Sequence, residues 1–238
     1  MLFDWTPAVV SLKVALVSTT IIFFLGLVAA WRMANYSGKW RVWIDSILTL
    51  PLVLPPTVVG FLLLVLIGKH GPIGILLASF DIKIIFSWGA AVVSAVVVAF
   101  PLMYRTTIGA FEQIDQDLLN AARTLGASEF RIFWRVTVPL AWPGIAAATA
   151  LSFARVLGEF GATLMVSGNI PGKTQTIPLA IYFAAEGGKL DVAGIWVIII
   201  FSVSMGAILL INNGNFWFLK PDRSFLYDLN IGNFEKEG

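Results

Sequence analysis

Residues 115–140, DQDLLNAARTLGASEFRIFWRVTVPL, form a polar, charged island in a chain that otherwise reads as hydrocarbon. Within the island Leu118, Ala121, Ala122 and Leu125 recur at the i, i+3, i+4, i+7 spacing of one helical face. Asp115 or Asp117 can cap the start of that helix, where a carboxylate also suits the helix dipole. Gly126 is placed to end it in a left-handed conformation. Ser128 can then cap a second helix with Glu129 in its first turn, running through Phe130, Phe133 and Trp134 until Pro139 stops it. The island thus reads as helix, glycine turn, helix, proline. An amphipathic insert between apolar segments faces something outside the bilayer, and the small Ala121 and Ala122 leave room for another protein's side chains.

The rest of the chain supplies the membrane. Of 238 residues, 58% are apolar and 13% charged. The mean hydropathy of +0.86 lies outside the soluble range. A net charge of +2, with basic residues scattered between apolar segments, gives no footing for nucleic acid. The absence of cysteine excludes disulfides, thiolate nucleophiles and cysteine metal sites. The single histidine, His70, excludes a metal site needing several histidines from this chain.

A span needs about twenty mostly apolar residues. By that measure an all-α integral membrane fold of five transmembrane helices is expected, at about 8–31, 45–67, 84–104, 142–166 and 192–211, forming one transmembrane domain over 1–238. The first is too long for a cleaved signal peptide and contains Lys13, whose ammonium can snorkel to the interface. Pro51, Pro55 and Pro56 should kink or break the second, which is tolerated where the break faces protein or a water-filled path. Residues 76–86 are too short to span and are interrupted by Asp81 and Lys83. Residues 177–185 are half the needed length and read as an interfacial or re-entrant helix.

Orientation follows from the basic residues. Arg32, Lys39, Arg41, Arg105, Arg123, Arg131, Arg135, Lys220 and Arg223 fall on one side, against Lys69, Lys83, Lys173 and Lys189 on the other. The positive-inside rule then makes the loop 106–140 and the tail 213–238 cytoplasmic, with the N-terminus outside and the C-terminus inside.

Three further stretches invite chemistry. In SFARVLGEFGAT (152–163), Arg155 and Glu159 stand four apart and so share a helical face. A mid-bilayer charge costs roughly 2.5–3.5 kcal/mol, so both should face the bundle interior or water. They form either a gate on a pathway or a structural ion pair, and Gly158, Gly161 and Ala162 let a second helix approach. Pro55 and Pro56 belong to the same pathway or packing group. NIPGKT (169–174) suggests a phosphate-binding loop but fails it, because Ser167 stands where the first glycine belongs and a membrane helix precedes it. Asn169 and Lys173 there are better placed to contact an external protein. Glu112, Asp115 and Asp117 have the spacing of a solvated helix start rather than of a divalent-ion site. No nucleophile stands with a base in a recognisable setting, so the chain reads as non-catalytic.

Asn120-Ala121-Ala122, three residues, Gly126, nine residues, then Val136-Thr137-Val138-Pro139 resembles the EAA signature of binding-protein-dependent ABC importer permeases, with Asn120 in place of its glutamate. PLVLPP (51–56), AARTLGA (121–127), LGEFGAT (157–163) and NIPGKTQTIP (169–178) are together similar to the molybdate branch, of which the sulfate/thiosulfate and tungstate permeases are close relatives. The resemblance implies a homodimer in the bacterial inner membrane, fed by an external oxyanion-binding protein. It also implies two cytoplasmic ATPase subunits that bind ATP and Mg, this chain holding no cofactor. In that scheme Asn120, Ala121, Ala122, Arg123, Gly126 and Pro139 belong to the coupling helix. A stand-alone secondary transporter or channel would usually carry an internal repeat, which the sequence lacks.

Overall fold

Length and apolarity decide which segments of this chain cross a bilayer. The computed structural model describes residues 4–218, with side chains to residue 209. Its elements are α1 (Thr6–Ala34), α2 (Arg41–Val53), α3 (Pro56–Ile67), α4 (Pro72–Ala78), α5 (Trp88–Glu112), α6 (Gln116–Thr124) and α7 (Glu129–Ile132). A π-helical turn (Phe133–Thr137) follows, then α8 (Val138–Leu157), α9 (Gly161–Ser167), α10 (Ile177–Glu186) and α11 (Leu190–Phe218). Among the described residues four runs are long and apolar enough to span: α1, α5, Glu129–Leu157 and Leu190–Leu209. The pair α2 and α3, bent by 114°, makes a fifth if counted as one.

Small residues put α5 at the centre. Ala90, Ala91, Ser94, Ala95 and Ala99 are buried, which brings α1 and α8 against it. Its most apolar window is 61% buried, against 11% for that of α11, which therefore lies at the edge. Without water, interhelical polar contacts matter more than their number suggests. Ser18 Oγ donates to the Val92 carbonyl at 3.3 Å, and Ser94 and Thr163 hydroxyls meet at 3.1 Å. The Ile177 N–H, which has no partner within α10, donates to Ser11 Oγ at 2.7 Å and docks this short helix on α1.

The prolines act differently from position to position. Pro51 is absorbed inside α2. The break comes at Leu54 and Pro55, both extended, because each precedes a proline and is pushed out of the helical region. Pro139 does not end the second helix of the island, as its missing N–H suggests it should. The chain runs helically through Pro139 and Pro143 as part of one candidate span, Glu129–Leu157. The π turn just before Pro139, closed by Val138 N–H to the Phe133 carbonyl, widens the helix where the ring would crowd the preceding turn.

Two boundaries differ from the hydropathy reading. The span expected at 84–104 begins only at Trp88, capped by Ser87, and continues to Glu112, into the expected loop 106–140. Amphipathic helix can extend past hydrocarbon, so apolarity alone ends it too soon. The span expected at 142–166 is interrupted: α8 stops at Gly158 and α9 restarts at Gly161. Of the expected tail 213–238, residues 219–238 lie outside the described residues.

Candidate coupling and pathway site

The island builds itself from local hydrogen bonds. Asp115 Oδ1 accepts from the Asp117 N–H at 2.9 Å and caps α6. Gly126, at φ +78°, ends it: its N–H donates to the Arg123 carbonyl at 2.9 Å, and the Ala127 N–H to the Ala122 carbonyl at 3.1 Å. This paired closure requires the left-handed residue that glycine supplies. Ser128 Oγ accepts from the Arg131 N–H at 3.4 Å and opens α7. Arg123 then ties the two helices across the turn, donating to Glu129 Oε1 at 2.7 Å and Oε2 at 3.3 Å. Hydrogen bonding to Glu129 makes the Arg123 guanidinium hold its proton more firmly than usual. A third Arg123 N–H donates to Asn120 Oδ1 at 2.9 Å, so Asn120 is oriented from within the island.

Most of the expected apolar stripe points away from the bundle, with only Ala122 packed against its core. Leu118 is 53% exposed, Leu125 87% and Phe130 66%; Ala121 is exposed and Ala122 half-buried. The bundle side is instead Leu119, Ile132 and Phe133, all buried. The Phe133 ring sits 4.6 Å from that of Trp31 at the end of α1 and 6.2 Å from Phe111 at the end of α5. Trp31 is thus a structural member of the site that the sequence reading did not single out, and it gives Phe133 and Glu129 their surroundings. Helical spacing put Phe133 among aromatics, but only the packing of α1 and α5 separates the inward ring from the outward ones.

Nearby carboxylates are spoken for. Glu112 pairs with Arg41 at 3.1 Å, and Asp45 accepts from Tyr104 Oη at 2.7 Å and pairs with Arg105 at 3.0 Å. These contacts hold α2, which has no buried residue, against α5. Among the described residues no group of His, Cys, Asp or Glu could hold a metal ion.

The second site lies at the break between α8 and α9. Glu159 follows the end of α8, so Arg155 and Glu159 share no continuous helix, yet their charges meet at 2.9 Å. The approach is ionic; Glu159 Oε2 accepts no directed hydrogen bond. Glu159 Oε1 accepts from the Ala162 N–H at 2.8 Å, satisfying a donor at the start of α9. Glu159 is buried while the Arg155 side chain stays 31% exposed, so the carboxylate is the structural member and the guanidinium the accessible one.

The two broken spans pack on each other at their breaks. A Cβ at Gly161 would lie 3.2 Å from Pro56, and one at Gly60 2.8 Å from the Ala162 Cα. Pro56 is thus the neighbour of Gly161 at this close approach. Gly158 is exposed and only ends α8; Pro55 is exposed at the bend. Beyond α9, Asn169 is half-buried and Lys173 exposed, on a turn held by buried Thr174, whose Oγ1 accepts from the Ile170 N–H at 3.0 Å and donates to the Gly168 carbonyl at 3.1 Å.

A helical membrane bundle with broken spans inside and one outward-facing amphipathic insert is the build of a transport subunit. The chain belongs to the family described as binding-protein-dependent transport system inner membrane component, which it matches over residues 22–216. It is 44% identical over 211 residues to the molybdenum transport system permease protein ModB of Escherichia coli K12, covering 87% of this chain and 91% of that one. To ModB of Haemophilus influenzae it is 48% identical over 173 residues, 72% and 76% of the two chains. To the sulfate transport system permease protein CysW of Synechocystis it is 41% identical over 167 residues, 70% and 60%. Its fold resembles that of a bacterial ABC transporter involved in alginate import (TM-score 0.76, 17% identity, 90% of this chain and 79% of that one). The MetNI methionine ABC transporter is similar as well (TM-score 0.65, 18% identity, 87% and 94%). The chain is thus a multi-pass inner-membrane permease subunit of a binding-protein-dependent ABC importer, in a family that is not catalytic.

Proposed function

We propose that two copies of this chain form the membrane pathway of a molybdate importer. The observation that carries the substrate is sequence identity: 44% over 211 residues and 48% over 173 residues to two molybdenum permeases, against 41% over 167 residues to a sulfate permease. Sulfate or tungstate remains the second reading, favoured by the 41% identity to CysW.

The arginine-rich end, with Arg32, Arg41, Arg105 and Arg123, supports a cytoplasmic island and an external N-terminus. There α6 and α7 serve as the coupling helices of a cytoplasmic ATPase. Exposed Leu118, Leu125 and Phe130 support this, as does an open groove of about 500 Å³ bounded by Leu118 and Leu140. ATP and Mg are bound by that ATPase. Closure of two ATPases swings the spans from inward-open to outward-open, and the external protein, in contact with Asn169 and Lys173, releases its oxyanion into the cavity. The pathway needs no tight site of its own, because selectivity rests with the binding protein. Arg155, held by Glu159 yet partly accessible, is the cation the passing anion meets.

The test is ATPase activity of the reconstituted complex, with binding protein loaded in turn with molybdate, tungstate and sulfate. Molybdate should stimulate hydrolysis most. Stimulation by sulfate alone would overturn the assignment and leave the importer class standing.

A further inference from the structure

At the end of the bundle away from the island, α3 runs into α4 and the chain returns to α5 through residues 79–87. The Phe86 N–H donates to the Val166 carbonyl at 3.0 Å, tying this return to the end of α9. Between these pieces lies a groove of about 410 Å³, walled by Ile67, Leu77, Ile82 and Ile85, with Lys69 and Lys83 also lining it. Both lysines are exposed, and among the described residues neither is paired with a carboxylate. Asp81 is the acidic residue nearest in sequence, and it is not part of the lining.

The surface around the groove is apolar. Ile75 is 60% exposed, Leu76 62% and Phe80 70%, and Phe61 and Leu62 of α3 are exposed as well. With seven residues α4 is about 10 Å long, so it cannot cross a bilayer and belongs at its boundary. Lysine stems at that level lie along apolar surface while their ammonium groups reach the headgroups. An apolar slot with two uncompensated cations at the level of the bilayer boundary has the chemistry of a phospholipid site. A zwitterionic headgroup would bring a cation of its own towards the lysines, whereas an anionic one would not.

We propose that this groove binds one anionic phospholipid per chain, with an acyl chain against Ile67, Leu77, Ile82 and Ile85 and the phosphate on Lys69 and Lys83. The site needs neither a particular oxyanion nor a particular orientation, so it stands apart from the functional assignment.

Native mass spectrometry of the full chain in complex with its ATPase tests it. The delipidated complex would be titrated with phosphatidylglycerol and phosphatidylcholine of identical acyl chains. Wild type should take one phosphatidylglycerol per chain with about tenfold preference over phosphatidylcholine, the scale expected of two surface lysines. The Lys69→Ala/Lys83→Ala variant should lose that preference, and Ala78→Trp, which fills the groove, should lose both lipids. Unchanged preference in the double variant would overturn the proposal. So would unchanged lipid binding accompanied by weakened docking of the external binding protein, which would make the groove a protein contact instead.

Discussion

Replacing Glu159 separates its two bonds. Glu159→Gln keeps an oxygen that can accept from the Ala162 N–H and removes only the charge opposite Arg155. Where the 31% exposed Arg155 side chain faces the proposed water-filled pathway, its stranded charge stays partly hydrated and the loss is held to about 1 kcal/mol. Glu159→Ala also strands the Ala162 N–H, now 2.8 Å from its acceptor, and a buried orphan donor costs about 1–3 kcal/mol. The alanine variant should therefore lose about 3 kcal/mol in all, roughly three times the glutamine loss. Adding Arg155→Gln to Glu159→Gln should recover most of the glutamine loss, since no charge is left unpaired. The assay is the thermal midpoint of the detergent-solubilised complex for all four proteins, read beside uptake in vesicles. Equal midpoints for the alanine and glutamine variants would refute the capping role. A glutamine variant with the wild-type midpoint but altered uptake would assign the pair to the pathway rather than to packing.

Gly126→Val should keep ATP hydrolysis but lower transport. An added Cβ meets nothing within 4 Å, so the strain is confined to a left-handed backbone, about 1–2 kcal/mol for a residue with a side chain. Wild-type uptake per ATP hydrolysed by this variant would count against the turn as a coupling element. Topology can be read by single cysteines in this cysteine-free chain. Ser128→Cys should react with an impermeant thiol reagent in inside-out vesicles, and exposed Lys173→Cys in right-side-out vesicles. Thr174 is unsuitable because it is buried. The reverse labelling pattern would sink the proposed orientation.

Much of the island is legible in sequence because its signals are local. Asp115, Gly126 and Ser128 each act through hydrogen bonds to residues within five positions, and such bonds form wherever the chain lies. Span existence was equally readable, since hydrocarbon selects for length and apolarity regardless of neighbours. The reading failed where a residue's partner is remote or its effect depends on context. Pro139 was expected to stop a helix, and a π turn let the helix pass. Arg155 and Glu159 have the spacing of one helical face, yet Gly158 ends one helix between them and Glu159 caps the next.

The class of protein, four of its apolar spans and the chemistry of the island's turn can be read from the chain alone. These follow from composition and from contacts between near neighbours. The packing of distant helices sets Phe133 into Trp31 and Phe111 while Leu125 and Phe130 point away. The tertiary structure alone decided that Gly60 and Gly161 bring two broken spans together, and that Glu159 is buried while Arg155 is not. Hydrophobic periodicity names a face but not its neighbour. In a chain apolar on nearly every side, burial is settled by which helices approach closely enough to exclude lipid.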